Sequence, residues 1–239
     1  MSDAADAARR FYDSTYGAQG FNAQRRYPNE EFCRFMGRHF FGEHLERRRA
    51  IRILEVGCGS GANLWMIARE GFAAYGLDVS AEAVNLCRRM LEHYDTSADL
   101  RVGDITKTGY PAEHFDAVVD VFSSYCLDSS SHDAFLGEVV RIVRPGGRFF
   151  SYTPSKASDA FKNPGQSRKI DESTLDGIHR PDSPYYGNFY PYRFTTPLEY
   201  QADLERRGFS IENLEIVSRT YRQMQEYFEF VVVDAVYRG

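Results

Sequence analysis

From residue 51 onward, short apolar runs alternate with segments whose apolar residues recur every three or four positions. The runs predict buried β-strands, and the segments predict amphipathic helices. The predicted strands of this region are 51–55, 73–78, 100–102, 115–121 and 148–152. The predicted helices between them are 62–70, 80–93 and 133–143. Because these β-α units have short connections, they favour a parallel sheet wound by right-handed crossovers.

Two further helices are predicted before this core. The first is capped by Ser2 and reaches about residue 14, and the glycines at 17 and 20 break it. The second follows the N-cap Asn29, and its apolar positions have the spacing of one helix face: Phe32, Phe35, Met36, Phe40 and Leu45. We therefore expect a helical N-terminal cap over residues 1–49 and a main domain over residues 50–239.

The pattern changes after the fifth strand. Residues 154–195 are rich in Ser, Pro, Gly, Asp and Tyr without sustained periodicity, which predicts a long functional insertion. A capping box at 196–199 predicts a helix to about residue 207. The strand-like segments 211–221 and 227–237 are too close together for a parallel crossover and predict an antiparallel hairpin. The predicted fold is a doubly wound, mostly parallel seven-stranded α/β sheet with helices on both faces and this hairpin at its C-terminus.

Composition narrows the possible partners. The 239-residue chain has a formal net charge of −5, and its one basic run is Arg47–Arg49. A nucleic-acid binder needs a basic stripe that neutralises phosphates, so no nucleic-acid partner is expected. The four cysteines lie far apart with no histidine cluster nearby, which indicates reduced thiols and no metal site. The longest apolar run, 230–233, is too short to span a bilayer, so we expect a cytoplasmic monomer or homodimer without a membrane partner.

The densest chemical signal lies at the end of the first predicted strand. Glu55 closes the strand, and Gly57, Gly59 and Gly61 alternate before a helix begins. Glycines there let the backbone turn tightly and let a ligand approach closely. The loop also satisfies the G-x-G-x-x-A pattern of dinucleotide sites, so a nicotinamide cofactor stays open at this point. The carboxylate of Glu55 favours a cationic ligand, because it would repel a pyrophosphate.

Acidic residues also end the next two strands. Asp78 ends the second strand, where its side chain can accept hydrogen bonds from both ribose hydroxyls. Asp104 follows the third strand and can accept a hydrogen bond from an adenine amino group. Ligands of open α/β sheets bind at the carboxyl ends of the strands. The sequence therefore predicts a nucleoside-containing cofactor at this edge.

The ordered motifs ILEVGCGSGANL, GLDVS, GDI, FDAVV and RPGG resemble those of class I S-adenosylmethionine-dependent methyltransferases over roughly residues 50–155. The resemblance implies S-adenosyl-L-methionine as cofactor and S-adenosyl-L-homocysteine as product. It also implies that the three glycines hold the methionine part, that Asp78 binds ribose, and that Asp104 and Ile105 frame adenine. The remaining predicted cofactor residues flank these or end the fourth strand: Glu55, Cys58, Asn63, Val79, Ser80, Asp120, Val121 and Phe122.

Acceptor-site candidates lie outside the motifs. In this family the segment before the core commonly folds over the cofactor, so Arg26 is predicted to pair with the cofactor carboxylate and Tyr27 to close the pocket. Side chains with an apolar body and a polar tip suit a small polar acceptor. The predicted acceptor residues are Tyr16, Tyr125, His179, Tyr186, Tyr190, Tyr192 and Arg193. His132 is the candidate general base, although a base is needed only when the acceptor must lose a proton.

The favoured function is methyl transfer to an oxygen or nitrogen atom of a small polar metabolite, such as a sugar, an amine or an amino-acid derivative. Three alternatives stay open: a catalytically silent cofactor-binding scaffold, a methyltransferase acting on protein or RNA, and an NAD-dependent oxidoreductase. The last is the weakest, because Pro154 lies between Tyr152 and Lys156 and prevents the helix that a catalytic Tyr-x-x-x-Lys requires.

Overall fold

Seven of the strands form one mixed sheet at the centre of the molecule. The computed structural model describes the backbone of residues 3–239 and the side chains of residues 6–239. The sheet strands are β1 (Arg52–Val56), β2 (Ala73–Asp78), β3 (Asp99–Val102), β4 (Phe115–Val121), β5 (Val143–Pro154), β8 (Phe209–Tyr221) and β9 (Glu226–Tyr237). Their order is β3-β2-β1-β4-β5-β9-β8, and only β9 runs antiparallel to its two neighbours. The predicted parallel sheet with a C-terminal hairpin is confirmed.

Helices cover both faces of this sheet. They are α1 (Asp3–Gln19), α2 (Glu30–His39), α3 (Leu45–Arg48), α4 (Leu64–Arg69), α5 (Ala81–His93), α6 (Ser129–Ile142), α7 (Asp159–Lys162) and α8 (Pro197–Glu205). Within β4, Ala117 and Val119 pack into one hydrophobic cluster and Val118 packs into the other. Successive side chains of a strand point to opposite faces, which explains why β4 is apolar throughout. No helix in the described part of the chain is long and apolar enough to cross a membrane.

Several element boundaries differ from the sequence-based expectation. The first helix continues past Gly17 and ends before Gly20, whose φ is +55°; its predicted cap, Ser2, lies outside the described residues. Helix α2 ends at His39, so Leu45 belongs to the separate helix α3 and is 57% exposed. Helix α6 begins four residues earlier than expected, because Asp128 caps it by accepting a hydrogen bond of 2.7 Å from the N–H of Ser131.

The insertion between β5 and α8 carries short regular elements. Helix α7 is followed by a two-stranded antiparallel sheet of β6 (Thr174–Leu175) and β7 (Tyr192–Arg193). The chain between these two strands turns back toward the sheet, where Arg180 pairs with Glu226 at the start of β9. This contact places residues 185–190 beside the carboxyl ends of β4 and β5.

Candidate cofactor and acceptor site

The loop between β1 and α4 needs glycine at two positions. Gly57 has a φ of +63°, and a Cβ added there would lie 2.2 Å from the Cβ of Ser123. Gly59 has a φ of +53°, and a Cβ there would lie 2.5 Å from Oε1 of Gln24 and 2.9 Å from the hydroxyl of Tyr16. Left-handed backbone favours glycine, and the close neighbours leave no room for a side chain. The loop therefore passes directly beneath residues of the N-terminal segment.

Asp78, at the end of β2, is tied to this loop. Its Oδ2 accepts a hydrogen bond of 2.8 Å from the N–H of Gly59, and its Oδ1 accepts one of 2.9 Å from the N–H of Ser80. Burial raises the pKa of this carboxyl to about 6, and the backbone hydrogen bonds oppose that shift. Asp78 is therefore mostly ionised at neutral pH and acts as a hydrogen-bond acceptor.

Glu55, at the end of β1, is buried and only half satisfied. Its Oε1 accepts a hydrogen bond of 2.6 Å from Nδ2 of Asn63, whereas the buried Oε2 has no hydrogen-bond partner among the described residues. Burial raises the pKa of this carboxyl to about 8, and the hydrogen bond from Asn63 partly opposes the shift. A buried acceptor atom without a partner fits a ligand that brings a donor or a positive charge.

The first of two adjoining cavities has a volume of about 630 Å³. Asp78, Val79, Asp104 and Ile105 line it at the carboxyl ends of β2 and β3, which is where the sequence places a nucleoside. Oδ1 of Asp104 accepts hydrogen bonds from the backbone N–H and the hydroxyl of Thr106, at 2.9 and 2.8 Å. The N-terminal segment covers the opposite side of the cavity with Ala8, Tyr12, Tyr16 and Gln24.

The second cavity is larger, about 1160 Å³. Glu55, Cys58, Asn63 and Arg25 line one end, and that end holds its acidic and basic side chains. The other end is mostly aromatic and is lined by Phe11, Val121, Tyr125, Tyr185 and Asn188. Tyr12, Gln24, Gly57 and Phe122 line both cavities, so the two form one continuous cleft.

Four predicted cofactor residues of the main domain line neither cavity: Gly59, Gly61, Ser80 and Asp120. Asp120 is fully buried, and its carboxylate accepts hydrogen bonds from Ser123, Ser124 and Ser151 at 2.5 to 3.1 Å. It therefore holds the turn after β4, and that turn presents Val121 and Phe122 to the cleft. Ser80 caps α5 and donates a hydrogen bond of 2.6 Å to Asp13, so it connects helix α1 to the region beside Asp78.

The predicted lid residues Arg26 and Tyr27 are corrected by the structure. Arg26 donates a hydrogen bond to Asn22 and lines neither cavity, and Tyr27 is 68% exposed. Arg25 is the arginine that lines the second cavity, with Nη2 3.4 Å from Oδ1 of Asn63. In an irregular segment neighbouring side chains point in different directions, so composition alone does not distinguish Arg25 from Arg26.

Three tyrosine hydroxyls meet at the aromatic end of the cleft. The hydroxyl of Tyr125 lies 2.6 Å from that of Tyr12 and 2.8 Å from that of Tyr190, and the latter two are 3.0 Å apart. We call these residues the tyrosine triad. Tyr125 and Tyr190 were predicted acceptor residues, whereas Tyr12 was missed, although it lies one helical turn before the predicted Tyr16. Tyr16 itself lines the cofactor side, above Gly59.

Like Tyr190 of the triad, the remaining acceptor candidates lie outside both cavities. Tyr192 and Arg193 are buried in β7, while His179 stacks on Phe189 and Tyr186 is 56% exposed. The residues that instead bring the insertion to the cleft are Tyr185 and Asn188. Phe122, a predicted cofactor residue, and Phe11 complete the aromatic end.

His132 is not placed to act as a base. It is buried in α6, where its ring packs against Phe135 and Tyr200, and it lines neither cavity. Burial, followed by the nearby charges of Arg193 and Arg207, lowers the pKa of its imidazole well below the usual value. The prediction of a catalytic role for His132 is therefore wrong, because helix α6 turns this face toward α8 instead of the cleft.

Part of this chain matches a known protein family. Residues 53–147 match a family described as a methyltransferase domain. The chain is 39% identical over 107 residues to the fatty-acid O-methyltransferase of Mycolicibacterium smegmatis, a match that covers 44% of this chain and 37% of that protein. The chain thus spans about two fifths of the length of the curated relatives it matches.

Two solved structures share the fold over nearly the whole chain. The magnesium protoporphyrin IX methyltransferase of Synechocystis PCC 6803, with bound S-adenosylhomocysteine, has a TM-score of 0.65 at 14% identity and covers 98% of this chain and 100% of its own. The 1,6-didemethyltoxoflavin-N1-methyltransferase of Burkholderia thailandensis, bound to its namesake compound and S-adenosylhomocysteine, has a TM-score of 0.63 at 14% identity. It covers 98% of this chain and 89% of its own. At this identity the likeness shows a shared fold.

Proposed function

We propose that this chain is a class I S-adenosylmethionine-dependent methyltransferase, because residues 53–147 match a methyltransferase-domain family. It would transfer the methyl group of that cofactor to a nitrogen or oxygen atom of a small molecule bound at the aromatic end of the second cavity. The observation that carries this proposal is the half-satisfied, buried carboxyl of Glu55 beside the glycine loop. An ammonium group of the cofactor's methionine part would supply the missing partner of Oε2.

The other groups along the cleft fit the same cofactor. Asp78 would accept hydrogen bonds from the ribose, and Asp104 and Ile105 would frame the adenine in the first cavity. Arg25 would pair with the cofactor carboxylate, in the role that the sequence assigns to Arg26. When bound, the cofactor supplies a methyl group already activated on a sulfonium, so the protein's main tasks are alignment and exclusion of water.

Two segments would perform that exclusion. Within the proposed N-terminal cap of residues 1–49, Tyr12, Tyr16 and Gln24 lie over the glycine loop and the first cavity. Within the proposed insertion of residues 154–195, Tyr185 and Asn188 wall the second cavity. Their aromatic faces would also stabilise the positive charge near the sulfonium.

The acceptor is proposed from the lining of its compartment. Of the three classes of polar metabolite that the sequence favours, a sugar fits poorly, because Phe11, Phe122 and Tyr185 offer flat apolar faces. An amine or an amino-acid derivative with an apolar body fits better. The fatty-acid O-methyltransferase relative is consistent with an apolar acceptor. Cytoplasmic location and a monomeric or homodimeric state stay predictions.

Calorimetric titration tests the cofactor assignment. We expect S-adenosylmethionine and S-adenosylhomocysteine to bind with dissociation constants on the order of micromolar and NAD not to bind. Asp78→Ala should weaken binding at least about tenfold through loss of a charge-assisted contact. Asp99→Ala, at an exposed carboxylate at the start of β3, is the matched control and should bind normally. Binding of NAD alone, or of none of the three, would contradict the proposal.

A further inference from the structure

The compartment beyond the methyl group, which we call the acceptor compartment, is defined by Phe11, Tyr12, Phe122, Tyr125, Tyr185 and Asn188. Its walls come from three separate segments: helix α1, the turn after β4, and the insertion. The ring of Phe122 stacks on Tyr125 with centroids 4.2 Å apart and an interplanar angle of 23°. Tyr185 lies 5.2 Å from Phe122 on another side. Tyr125 thus covers one face of Phe122, and the ring of Tyr185, tilted by 43° to Phe122, adds a second apolar surface that suits a flat ligand.

The acceptor compartment offers no group that could remove a proton. Among the described residues, the charged side chains lining the two cavities are Arg25, Glu55, Asp78 and Asp104, and no histidine or lysine lines either one. Each of these charges lies at the end assigned to the cofactor. An alcohol or a phenol must lose its proton for methylation at oxygen, and general bases serve that purpose. Alcohols and phenols therefore find no general base in the acceptor compartment.

The tyrosine triad does not supply the missing general base. Its three hydroxyls lie within 3.0 Å of one another, so a closed ring of hydrogen bonds can use all three protons. Burial raises the pKa of Tyr12 and of Tyr125 well above the usual phenol value, so both remain protonated at neutral pH. Arg25 is the only cation that lines the two cavities in the described part of the chain, and it is assigned to the cofactor carboxylate. The charge of a carboxylate acceptor would therefore stay unpaired among apolar rings, which is costly.

Resting on the proposed function, we propose that the acceptor is an uncharged aromatic amine or nitrogen heterocycle, methylated at nitrogen without proton transfer to the protein, and that the faces of Phe122 and Tyr185 hold it. A nitrogen lone pair is available as bound. It forms the new N–C bond while the C–S bond breaks and leaves its electron pair on sulfur. The positive charge moves from sulfur to nitrogen, and any N–H proton of the product is released later to water.

The aromatic walls of the acceptor compartment favour methylation at a neutral nitrogen over methylation at oxygen. A cation formed among ring faces is stabilised by cation–π attraction, worth about 0.5 to 2 kcal/mol per face, which corresponds to a factor of about 2 to 30. The ring faces of the acceptor compartment therefore favour a product that carries a positive charge.

A set of four probes of known chemistry tests the acceptor class. Isoquinoline, 2-naphthol and 2-naphthoate share one bicyclic shape and differ in the nucleophile, and methyl glucoside represents a sugar. Titration into the protein saturated with S-adenosylhomocysteine measures binding, and transfer of a radiolabelled methyl group measures turnover. We expect isoquinoline to bind and to be methylated, and the other three not to be methylated. Methylation of 2-naphthol, 2-naphthoate or the glucoside in preference to isoquinoline would overturn the proposal.

Variants of Tyr185 add a readout that does not depend on turnover. Tyr185→Leu removes the ring and should weaken isoquinoline binding about tenfold, whereas Tyr185→Phe keeps the ring and should bind as the wild type does. Binding of S-adenosylhomocysteine should stay unchanged in both, because this ligand carries no sulfonium charge and its proposed partners Glu55, Arg25 and Asp78 lie on other segments. Tyr237→Leu, at the far end of β9, is the matched control. Equal binding of isoquinoline by Tyr185→Leu and the wild type would contradict the assigned role.

The outcomes separate this inference from the proposed function. If S-adenosylhomocysteine binds and isoquinoline does not, the nitrogen-acceptor inference is wrong while the cofactor assignment stands. If S-adenosylhomocysteine does not bind, the proposed function itself fails. The dependence of kcat/KM on pH gives a further check: it should follow the pKa of each acceptor tested, and a profile that stays the same across different acceptors would reveal a protein base.

Discussion

Asn63 donates a hydrogen bond of 2.6 Å from Nδ2 to Oε1 of Glu55 and leaves Oε2 of that carboxyl without a partner in the described part of the chain. Oδ1 of Asn63 accepts a hydrogen bond of 2.9 Å from the N–H of Asn29, before helix α2. One amide thus connects the buried carboxyl at the end of β1 with the segment that precedes the core. Because burial raises the pKa of Glu55 to about 8, this carboxyl is mostly protonated at neutral pH in the ligand-free protein.

Cofactor binding should therefore release a proton from Glu55. The ammonium group of the ligand favours the ionised carboxylate, so at pH 7 binding of S-adenosylhomocysteine is expected to release close to one proton. Calorimetry in two buffers of different ionisation enthalpy measures that number. Glu55→Gln should release far fewer protons and bind at least about tenfold more weakly. Equal proton release by the variant and the wild type would show that another group titrates.

The same carboxyl should make the ligand-free protein less stable at high pH. The folded-state pKa of about 8 exceeds the ordinary value of 4.5, so the stabilising contribution is complete below pH 4.5 and is lost as the pH rises through 8. The Tm of Glu55→Gln minus the Tm of the wild type should be at least about 3 °C larger at pH 9 than at pH 5. About 1 kcal/mol of unfolding free energy shifts the Tm of a domain of this size by 2–4 °C. Thermal unfolding at both pH values measures this, and a constant difference would argue against an elevated pKa.

The sequence predicts the parts of the fold and site that depend on short-range patterns. Strand β4 and its apolar core, the loop at Gly57 and Gly59, and the acidic strand ends at Asp78 and Asp104 all follow from local spacing. Parallel strands bring their carboxyl ends to one edge, so these residues necessarily lie near one another.

The remaining assignments depend on long-range packing. His132 is turned away because α6 packs its face against Tyr200 of α8, a residue far along the chain. Asp120 faces inward because three serines from two segments satisfy its carboxylate. In the insertion, a short turn exposes Tyr186 and directs Tyr185 into the cleft. The orientations of these side chains cannot be predicted from the local pattern of apolar and polar residues.

The adjacent arginines provide a matched pair for testing the lid. Arg25→Ala should weaken binding of S-adenosylhomocysteine about 10- to 100-fold, because this side chain lines the second cavity beside Asn63. Arg26→Ala should change it less than about twofold, because the side chain of Arg26 contacts Asn22 and Phe21 of its own segment and lines neither cavity. Titration calorimetry of both variants measures the difference. A larger loss in Arg26→Ala would restore the sequence-based assignment.

Alanine at the two loop glycines should have separable effects. In Gly57→Ala the new Cβ would lie 2.2 Å from the Cβ of Ser123 and 3.6 Å from its backbone Cα, so the fold itself should lose several kcal/mol of stability. In Gly59→Ala the nearest atoms are the ends of Gln24 and Tyr16, which can move aside.

Gly59→Ala should therefore remain folded while cofactor binding falls, because the residues displaced are those that cover the first cavity. Chemical denaturation and titration with S-adenosylhomocysteine measure the two properties separately. Gly17→Ala is the control: it lies in helix α1 with nothing within 4 Å of the added Cβ, and it should be neutral or slightly stabilising. Similar stability losses in both loop variants would contradict the distinction.

Arg180 and Glu226 together should fix the insertion on the sheet. The guanidinium donates from Nε at 3.0 and 2.9 Å to the two carboxylate oxygens, and Nη2 lies 2.8 Å from Oε2. Glu226 is 0% exposed, so Arg180→Met would leave a buried charge without its partner and should cost about 3–5 kcal/mol of unfolding free energy. The double variant Arg180→Met with Glu226→Gln removes that charge and should recover much of the loss.

The recovered double variant then separates stability from acceptor binding. The pair holds the chain segment that presents Tyr185 and Asn188 to the acceptor compartment, so the double variant should bind isoquinoline more weakly than the wild type even where its stability is restored. Its affinity for S-adenosylhomocysteine should stay the same, because the proposed partners of that ligand, Glu55, Arg25 and Asp78, all lie outside the insertion. Unfolding curves and the two titrations measure these quantities. If isoquinoline affinity recovers together with stability, the ion pair contributes only to folding, and the position of Tyr185 must be set by its own packing against Phe228 and Phe122.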